Sequence, residues 1–342
     1  MQRFMKGGKT LIMFEIKSPS GSKILIPNDL GEDKKYFTLN EFDEAKNYYG
    51  EYGYVVFRGL VSKEKCIKVI NSWNSSLKKY DGFIYRQTTA NPEKNVFDKF
   101  GHVLNPVLNL QDLDSKQFGD LKNTALDIFT DQNVIAACRA LIDDIPKLVQ
   151  SMYFEGNPAT WAHQDSYYLD SEKIGSMTAA WFALEDIHSS AGRFYVYSGS
   201  HLIDLKKNGG DFDIAFNHER YKKLVIEIIN KYKLECKAPF LAAGDVLFWN
   251  AKTIHGSLVT MDESKSRSSL TAHYIPESHK FLQFQSRIKS LKLKEYNGIN
   301  IHCPKNQDYP LNKFVLFLET RFPSQFQSAK KLAVKLVTSK KN

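Results

Sequence analysis

A chain of 342 residues that is 42% hydrophobic has ample material for a buried core, so disorder is excluded as its resting state, and its formal charge of +9 is spread over scattered lysines. The four cysteines, Cys66, Cys138, Cys236 and Cys303, stand far apart with no Cys-x-x-Cys pair, which argues against a disulfide framework and against a thiolate zinc site. No apolar run is long enough to span a bilayer, the run Thr10-Leu11-Ile12-Met13-Phe14 stops at Glu15 and is too short for a signal peptide, and no basic stretch alternates with aromatics as a nucleic-acid surface would.

In chain order, an irregular leader gives way to a helix with Asn40 as its N-cap, and residues 53–58 then read as a strand. Ser62 is placed to cap a second helix, on which Cys66, Ile67, Val69, Ile70, Trp73 and Leu77 recur on one face. A further helical region is expected over residues 118–142. From residue 148 strands dominate, over 148–154, 177–184, 193–197, 246–249 and 270–274, with Gly-containing turns between them, the pattern of a sandwich or barrel. Residues 202–233 form a polar insert containing Asn208-Gly209-Gly210 and a helical pattern over 219–233, a candidate lid. The stretch from Lys330 to Val337 has the pattern of a short amphipathic helix, packed on its own domain or touching a membrane or partner. We expect one domain over 1–342, with a mainly helical N-terminal extension over 1–147, a core over 148–280 and a C-terminal extension over 281–342.

The chemistry-bearing pattern is His163-Gln164-Asp165, followed far downstream by His255 in Trp-Asn-Ala-Lys-Thr-Ile-His-Gly-Ser and then by Arg267. Fe(II) that must bind and activate O₂ needs two imidazoles and one carboxylate on one face, with neighbouring positions open. In extended backbone, residues i and i+2 point the same way, so His163 and Asp165 can aim at one point while Gln164 turns away. The third ligand must come from another strand; His255 follows the Gly244-Asp245 turn and the apolar run Val246-Leu247-Phe248-Trp249. A dicarboxylate cosubstrate needs its free end held by a fixed cation, and the planar fork of Arg267 suits this better than Lys265, which sits in the polar turn Asp262-Glu263-Ser264. The inferred cosubstrate is 2-oxoglutarate. His188, His201, His273 and His279 read as structural or surface groups rather than further ligands.

From residue 148 to 274 the chain resembles the phytanoyl-CoA dioxygenase family of Fe(II)/2-oxoglutarate oxygenases. The likeness rests on His163-Gln164-Asp165-x-x-Tyr168, on Trp181 in Ala-Ala-Trp-Phe-Ala-Leu-Glu-Asp, on Gly192 through Gly199-Ser200-His201, on His255-Gly256-Ser257, and on Arg267 with His273 on the same strand. The resemblance implies a mainly β fold with helices, a double-stranded β-helix (jelly roll, cupin-like) core flanked by N-terminal helices. It implies His163, Asp165 and His255 as iron ligands, Arg267 as the 2-oxoglutarate clamp, and Ser257 and Trp181 as lining of the cosubstrate pocket. Tyr167 and Tyr168, just after the ligand pair, are candidates for the substrate pocket or for the core. Tyr197 and Arg193 depart from the family pattern, which more often has a proline at the first and an apolar residue at the second.

The activity so implied is dioxygenase chemistry on an unactivated C–H bond of a small metabolite, hydroxylation first, with O₂ consumed and succinate and CO₂ released. Desaturation or oxidative cyclisation of a natural-product intermediate uses the same cofactors, and a catalytically silent jelly-roll binding protein is the reading from another class. The basic charge would draw in an anionic small molecule. The location expected is cytoplasmic, since the final Ser339-Lys340-Lys341-Asn342 lacks a peroxisomal address; no nucleic-acid partner and no transmembrane segment are expected, and oligomeric state has no signature.

Overall fold

The computed structural model describes residues 2–6, 9–27, 35–157, 159–214, 216–326 and 328–329. The core strands, in chain order, are β1 (Tyr54–Phe57), β2 (Val107–Leu108), β3 (Pro146–Phe154), β4 (Thr178–Ala183), β5 (Phe194–Tyr197), β6 (Cys236–Lys237), β7 (Val246–Asn250), β8 (His255–Ser257), β9 (Ser269–Pro276), β10 (Leu293–Tyr296) and β11 (Ile299–His302). The larger sheet runs β10-β11-β3-β9-β4-β7-β1, with β2 beside β3, and the smaller runs β6-β5-β8. The larger sheet is antiparallel except where β11 meets β3. The helices are α1 (Phe42–Tyr52), α2 (Lys63–Ser75), α3 (Ser115–Phe129), α4 (Gln132–Ile142), α5 (His218–Lys231) and α6 (Pro310–Arg321).

Alternation along each strand sorts its side chains into two cores. Val55, Phe57, Ala180, Phe182, Phe248, Ala272 and Tyr274 pack outward on the helices, against Trp73, Leu121, Phe129 and Cys138. Tyr54, Val56, Ala179, Trp181, Leu247 and Trp249 pack inward against Phe194 and Val196 of the smaller sheet. β4 is buried at every position, which is why a sheet covered on both faces reads as a continuous apolar run rather than an alternating one. Two facing sheets with this order make the jelly-roll core that the resemblance implied. Strands from both ends of the chain, β1 and β2 before residue 148 and β10 and β11 after 280, belong to the same sheet.

Local chemistry sets the boundaries. Ser62 caps α2 by accepting the Lys65 N–H (3.3 Å). Asn40 does not cap α1: the N-cap is Glu41, whose carboxylate reaches back to the Thr38 N–H (2.8 Å) and hydroxyl (2.7 Å). The helical region expected over 118–142 is two helices, because Asp131 accepts from the Asn133 N–H (2.9 Å) and starts α4 afresh after α3 ends at Thr130. On α2, Cys66, Val69 and Trp73 are buried, whereas Ile67 points to solvent. Trp73 stacks on Tyr153 at 4.1 Å between ring centres. Gly244 enters β7 at φ +92°, with the Val61 carbonyl so close that a Cβ would lie 2.2 Å from it.

Within the insert, α5 buries Tyr221, Leu224, Val225, Ile228 and Ile229 against Tyr167, Tyr195 and Tyr197. The two departures from the family pattern are therefore structural: Tyr197 belongs to this third core, beneath α5, and Arg193 donates to the carbonyls of Ile187 (3.2 Å) and Pro27. The segment from Lys330 to Val337 lies outside the described residues. No helix among the described residues is long and apolar enough to cross a membrane.

Candidate metal centre

His163 and His255 meet as an isolated antiparallel bridge that extends the smaller sheet by one residue. Each donates its backbone N–H to the other's carbonyl (3.0 and 2.9 Å), so both side chains leave the sheet on one side. Gln164 remains extended (φ −108°, ψ 134°), which carries the alternation on to Asp165 before a 3₁₀ turn, Asp165–Tyr167, bends the chain away. The spacing predicted for the His-x-Asp pair is thus realised at a strand end. His163 Nε2 lies 3.7 Å and His255 Nε2 3.6 Å from Asp165 Oδ1. One ligand atom from each residue falls within 4.8 Å of the other two, an arrangement that could hold a metal ion.

The two imidazoles are set as ligands by what their other nitrogens do. His163 Nδ1 donates to the Trp161 carbonyl and His255 Nδ1 to the Thr253 carbonyl, both at 2.9 Å. Because a carbonyl only accepts, Nδ1 carries the proton and Nε2 presents a bare lone pair to the shared centre. Burial pushes the His255 imidazole down to about 4, which keeps it neutral in ordinary buffers. Burial opposes the charge on Asp165, yet the imidazoles of His255 and His273 outweigh it and hold the carboxyl well below the usual carboxylate range.

Three residues that sequence reasoning did not place in the site support this geometry. The Trp249 indole N–H donates to Asp165 Oδ2 (2.9 Å), and His273 Nε2 approaches the same oxygen at 3.3 Å. Oδ1 is thereby left as the oxygen facing the two imidazoles. The Tyr221 hydroxyl, fully buried on α5, accepts the Gln164 N–H (2.7 Å) and faces the Gln164 carbonyl (3.3 Å), clamping the residue between the two ligands. Trp249 ends the apolar run that leads to His255, with nothing local to mark its bond to Asp165; Tyr221 lies in the insert and carries no local signal.

Arg267 is buried, with its Nη1 donating to the Gly192 carbonyl (3.2 Å) and its Nε without a partner. No carboxylate among the described residues pairs with it. Burial lowers its pKa to about 10, so the guanidinium is still charged at neutral pH. A buried cation with open donors is costly unless an anion completes it, which is the condition a ligand carboxylate would satisfy. Lys265 is exposed in its turn, as expected. Ser257 lies opposite Phe194, two residues from His255, but its hydroxyl donates to Asn157 (2.9 Å) and accepts the Thr160 N–H (2.7 Å). Trp181 sits on the inner face, 6.1 Å between ring centres from Phe194, which in turn stacks on His255 at 5.5 Å. The tyrosines diverge: Tyr167 turns into the core beneath α5 and donates to the Gly210 carbonyl (3.1 Å), whereas the Tyr168 ring lies 6.0 Å from that of His163 and its hydroxyl bonds His218 of the insert (2.9 Å).

The jelly roll thus gathers two bare imidazole nitrogens, a carboxylate oxygen and a buried arginine that pairs with no carboxylate among the described residues, an arrangement that could hold a metal ion beside a carboxylate ligand. The sequence profile of the phytanoyl-CoA dioxygenase (PhyH) family matches residues 49–265, and the chain belongs to that family. Over 117 residues it is 32% identical to phytanoyl-CoA dioxygenase domain-containing protein 1 of Bos taurus, a match that covers 32% of this chain and 39% of that protein. The chain thus spans about two fifths of that curated relative. Among solved structures, the fold is shared with the non-haem α-ketoglutarate-dependent carbocyclase SnoK from nogalamycin biosynthesis, at 16% identity and a TM-score of 0.53, covering 72% of this chain and 89% of SnoK. It is shared equally with the epimerase SnoN of the same biosynthesis, at 16% identity and a TM-score of 0.52, covering 77% of this chain and 98% of SnoN.

Proposed function

We propose that this enzyme hydroxylates an unactivated C–H bond of a small metabolite, releasing succinate and CO₂. The observation that carries the reading is the pairing of a three-residue cluster that could hold a metal, His163, Asp165 and His255, with a buried arginine that has no carboxylate partner among the described residues. In this reading the three residues hold Fe(II), and Arg267 takes the distal carboxylate of 2-oxoglutarate through its planar fork. When bound, iron and 2-oxoglutarate supply the oxidising power drawn from O₂.

The chain's own residues position and enclose. Trp249 donates to Asp165 Oδ2, with His273 close by, so that Oδ1 is the carboxylate oxygen offered and neighbouring positions stay open. Trp181 and Ser257 border the cosubstrate, with Ser257 also bracing the loop before His163. Tyr168 shapes the substrate side, and the insert over 202–233 closes across it, joined by the Tyr168–His218 hydrogen bond. The basic surface favours an anionic substrate, and the enzyme works in the cytoplasm.

The test is a succinate-release screen over acyl-CoA thioesters, free and modified amino acids, phosphonates and natural-product intermediates, followed by mass spectrometry. Substrate-dependent succinate with a product one oxygen atom heavier is expected. A product lighter by two hydrogens would replace hydroxylation by desaturation or ring closure.

A further inference from the structure

Asn157 stands in the loop between β3 and His163, and every hydrogen-bonding position of its amide is taken. Its Oδ1 accepts the Ser257 hydroxyl (2.9 Å) and the Ala159 N–H (3.1 Å), while its Nδ2 donates to the Leu258 carbonyl and the Thr260 hydroxyl, both at 2.8 Å. These partners fix the orientation of the amide, because a backbone N–H only donates and a carbonyl only accepts. The side chain is thus a strut between the loop that leads to His163 and the segment that follows β8.

The strut bears on Gly192. A Cβ built there would meet Asn157 Nδ2 at 1.9 Å and the Leu258 carbonyl oxygen at 2.6 Å, and the backbone has a φ of +75°, so only a glycine lets the amide come this close. The residues on either side of Gly192 are tied to the same segment: the Leu258 N–H donates to the Arg193 carbonyl (2.9 Å), and the Thr260 hydroxyl reaches the Ala191 carbonyl (3.5 Å). The Gly192 carbonyl in turn accepts from Arg267 Nη1 (3.2 Å), and among the described residues no other hydrogen bond holds that buried guanidinium. Where the Gly192 carbonyl stands therefore decides where the fork of Arg267 points. We propose that Asn157 is a positioning residue for the cosubstrate clamp, aiming Arg267 through Gly192. This rests on the reading of Arg267 as the group that takes the distal carboxylate of 2-oxoglutarate.

The experiment is equilibrium dialysis of 2-oxoglutarate against the Co(II)-loaded full chain, for the wild type, Asn157→Ala, Arg267→Lys and the double variant. Asn157→Ala should raise the half-saturating concentration on the order of tenfold, since a misdirected fork loses its paired hydrogen bonds, with stoichiometric Co(II) binding and the circular-dichroism spectrum unchanged. In the Arg267→Lys background the same change should cost less than about twofold, because two residues that act through one contact are not additive. Should Asn157→Ala not fold, Thr260→Val, which deletes one acceptor of the amide nitrogen, takes its place and should raise half-saturation about threefold, again only beside Arg267. The proposal alone is overturned if half-saturation is unmoved, if the cost is the same in both backgrounds, or if Co(II) affinity falls in step, since Asn157 would then serve the loop or the metal ligands instead of the clamp. An Arg267→Lys variant that binds 2-oxoglutarate as the wild type does would overturn the reading of the clamp itself, and this inference with it.

Discussion

His163 and His255, distant in sequence, are locked together by a reciprocal pair of backbone hydrogen bonds of 3.0 and 2.9 Å, with their rings 4.3 Å apart. The geometry of the proposed metal centre is therefore a consequence of sheet register, and Asp165 joins it by simple alternation two residues on. Replacing His163, Asp165 or His255 by Ala should leave the circular-dichroism spectrum intact and abolish stoichiometric Co(II) binding, because each change removes one of the three proposed ligands. A variant that titrates with wild-type affinity would take its residue out of the site.

Trp249→Phe keeps an aromatic ring on the inner face and deletes the N–H that holds Asp165 Oδ2. Loss of a hydrogen bond behind a ligand typically weakens metal binding about 10–100-fold, and a competition titration with Co(II) should show a drop of that order. Unchanged affinity would reduce the indole to a packing role.

The parts of this arrangement visible in the sequence were those carried by period and by motif. His163-x-Asp165 needs only the two-residue alternation of extended backbone, and the strands were legible because a sheet buried on both faces reads as uninterrupted apolar runs, as in Ala-Ala-Trp-Phe-Ala. Helix boundaries were harder to read, since Asn40 and Glu41 compete as caps and the outcome depends on Glu41 reaching Thr38. The support of the site was not legible. Tyr221 reaches Gln164 only because α5 folds back over the smaller sheet, and His273 meets Asp165 only through the register of β9 on β4. Such contacts arise from long-range pairing and leave no local period.

Arg267→Lys retains the charge and loses the fork. The Michaelis constant for 2-oxoglutarate should rise on the order of tenfold, since a hydrogen bond to a charged group is worth about 1.5–3 kcal/mol. Arg267→Ala should be worse, and Lys265→Ala, in its exposed turn, should change little. The reverse order would move the clamp to Lys265.

His302 gives a pH dependence away from the metal site. Its Nδ1 accepts the Lys292 N–H (3.0 Å), and burial pushes the imidazole down to about 4. The unfolded residue takes up a proton near pH 6.5 while the folded one does not until about 4. Folding stability at this position is therefore unaffected above pH ~6.5 and falls as the pH drops from there towards 4. His302→Asn, which retains an acceptor but does not titrate, should show a smaller fall in urea midpoint between about pH 7 and about pH 5 than the wild type. An identical fall in both proteins would assign the acid sensitivity elsewhere.

Anaerobic addition of Fe(II) and then 2-oxoglutarate, followed by visible absorption, tests the central claim most directly. A weak charge-transfer band should appear on addition of 2-oxoglutarate to the iron-loaded wild type, be absent in Asp165→Ala, and require far more 2-oxoglutarate in Arg267→Ala. Iron bound by the wild type with no band at saturating 2-oxoglutarate, or a band that survives in Asp165→Ala, would contradict the assignment of this site.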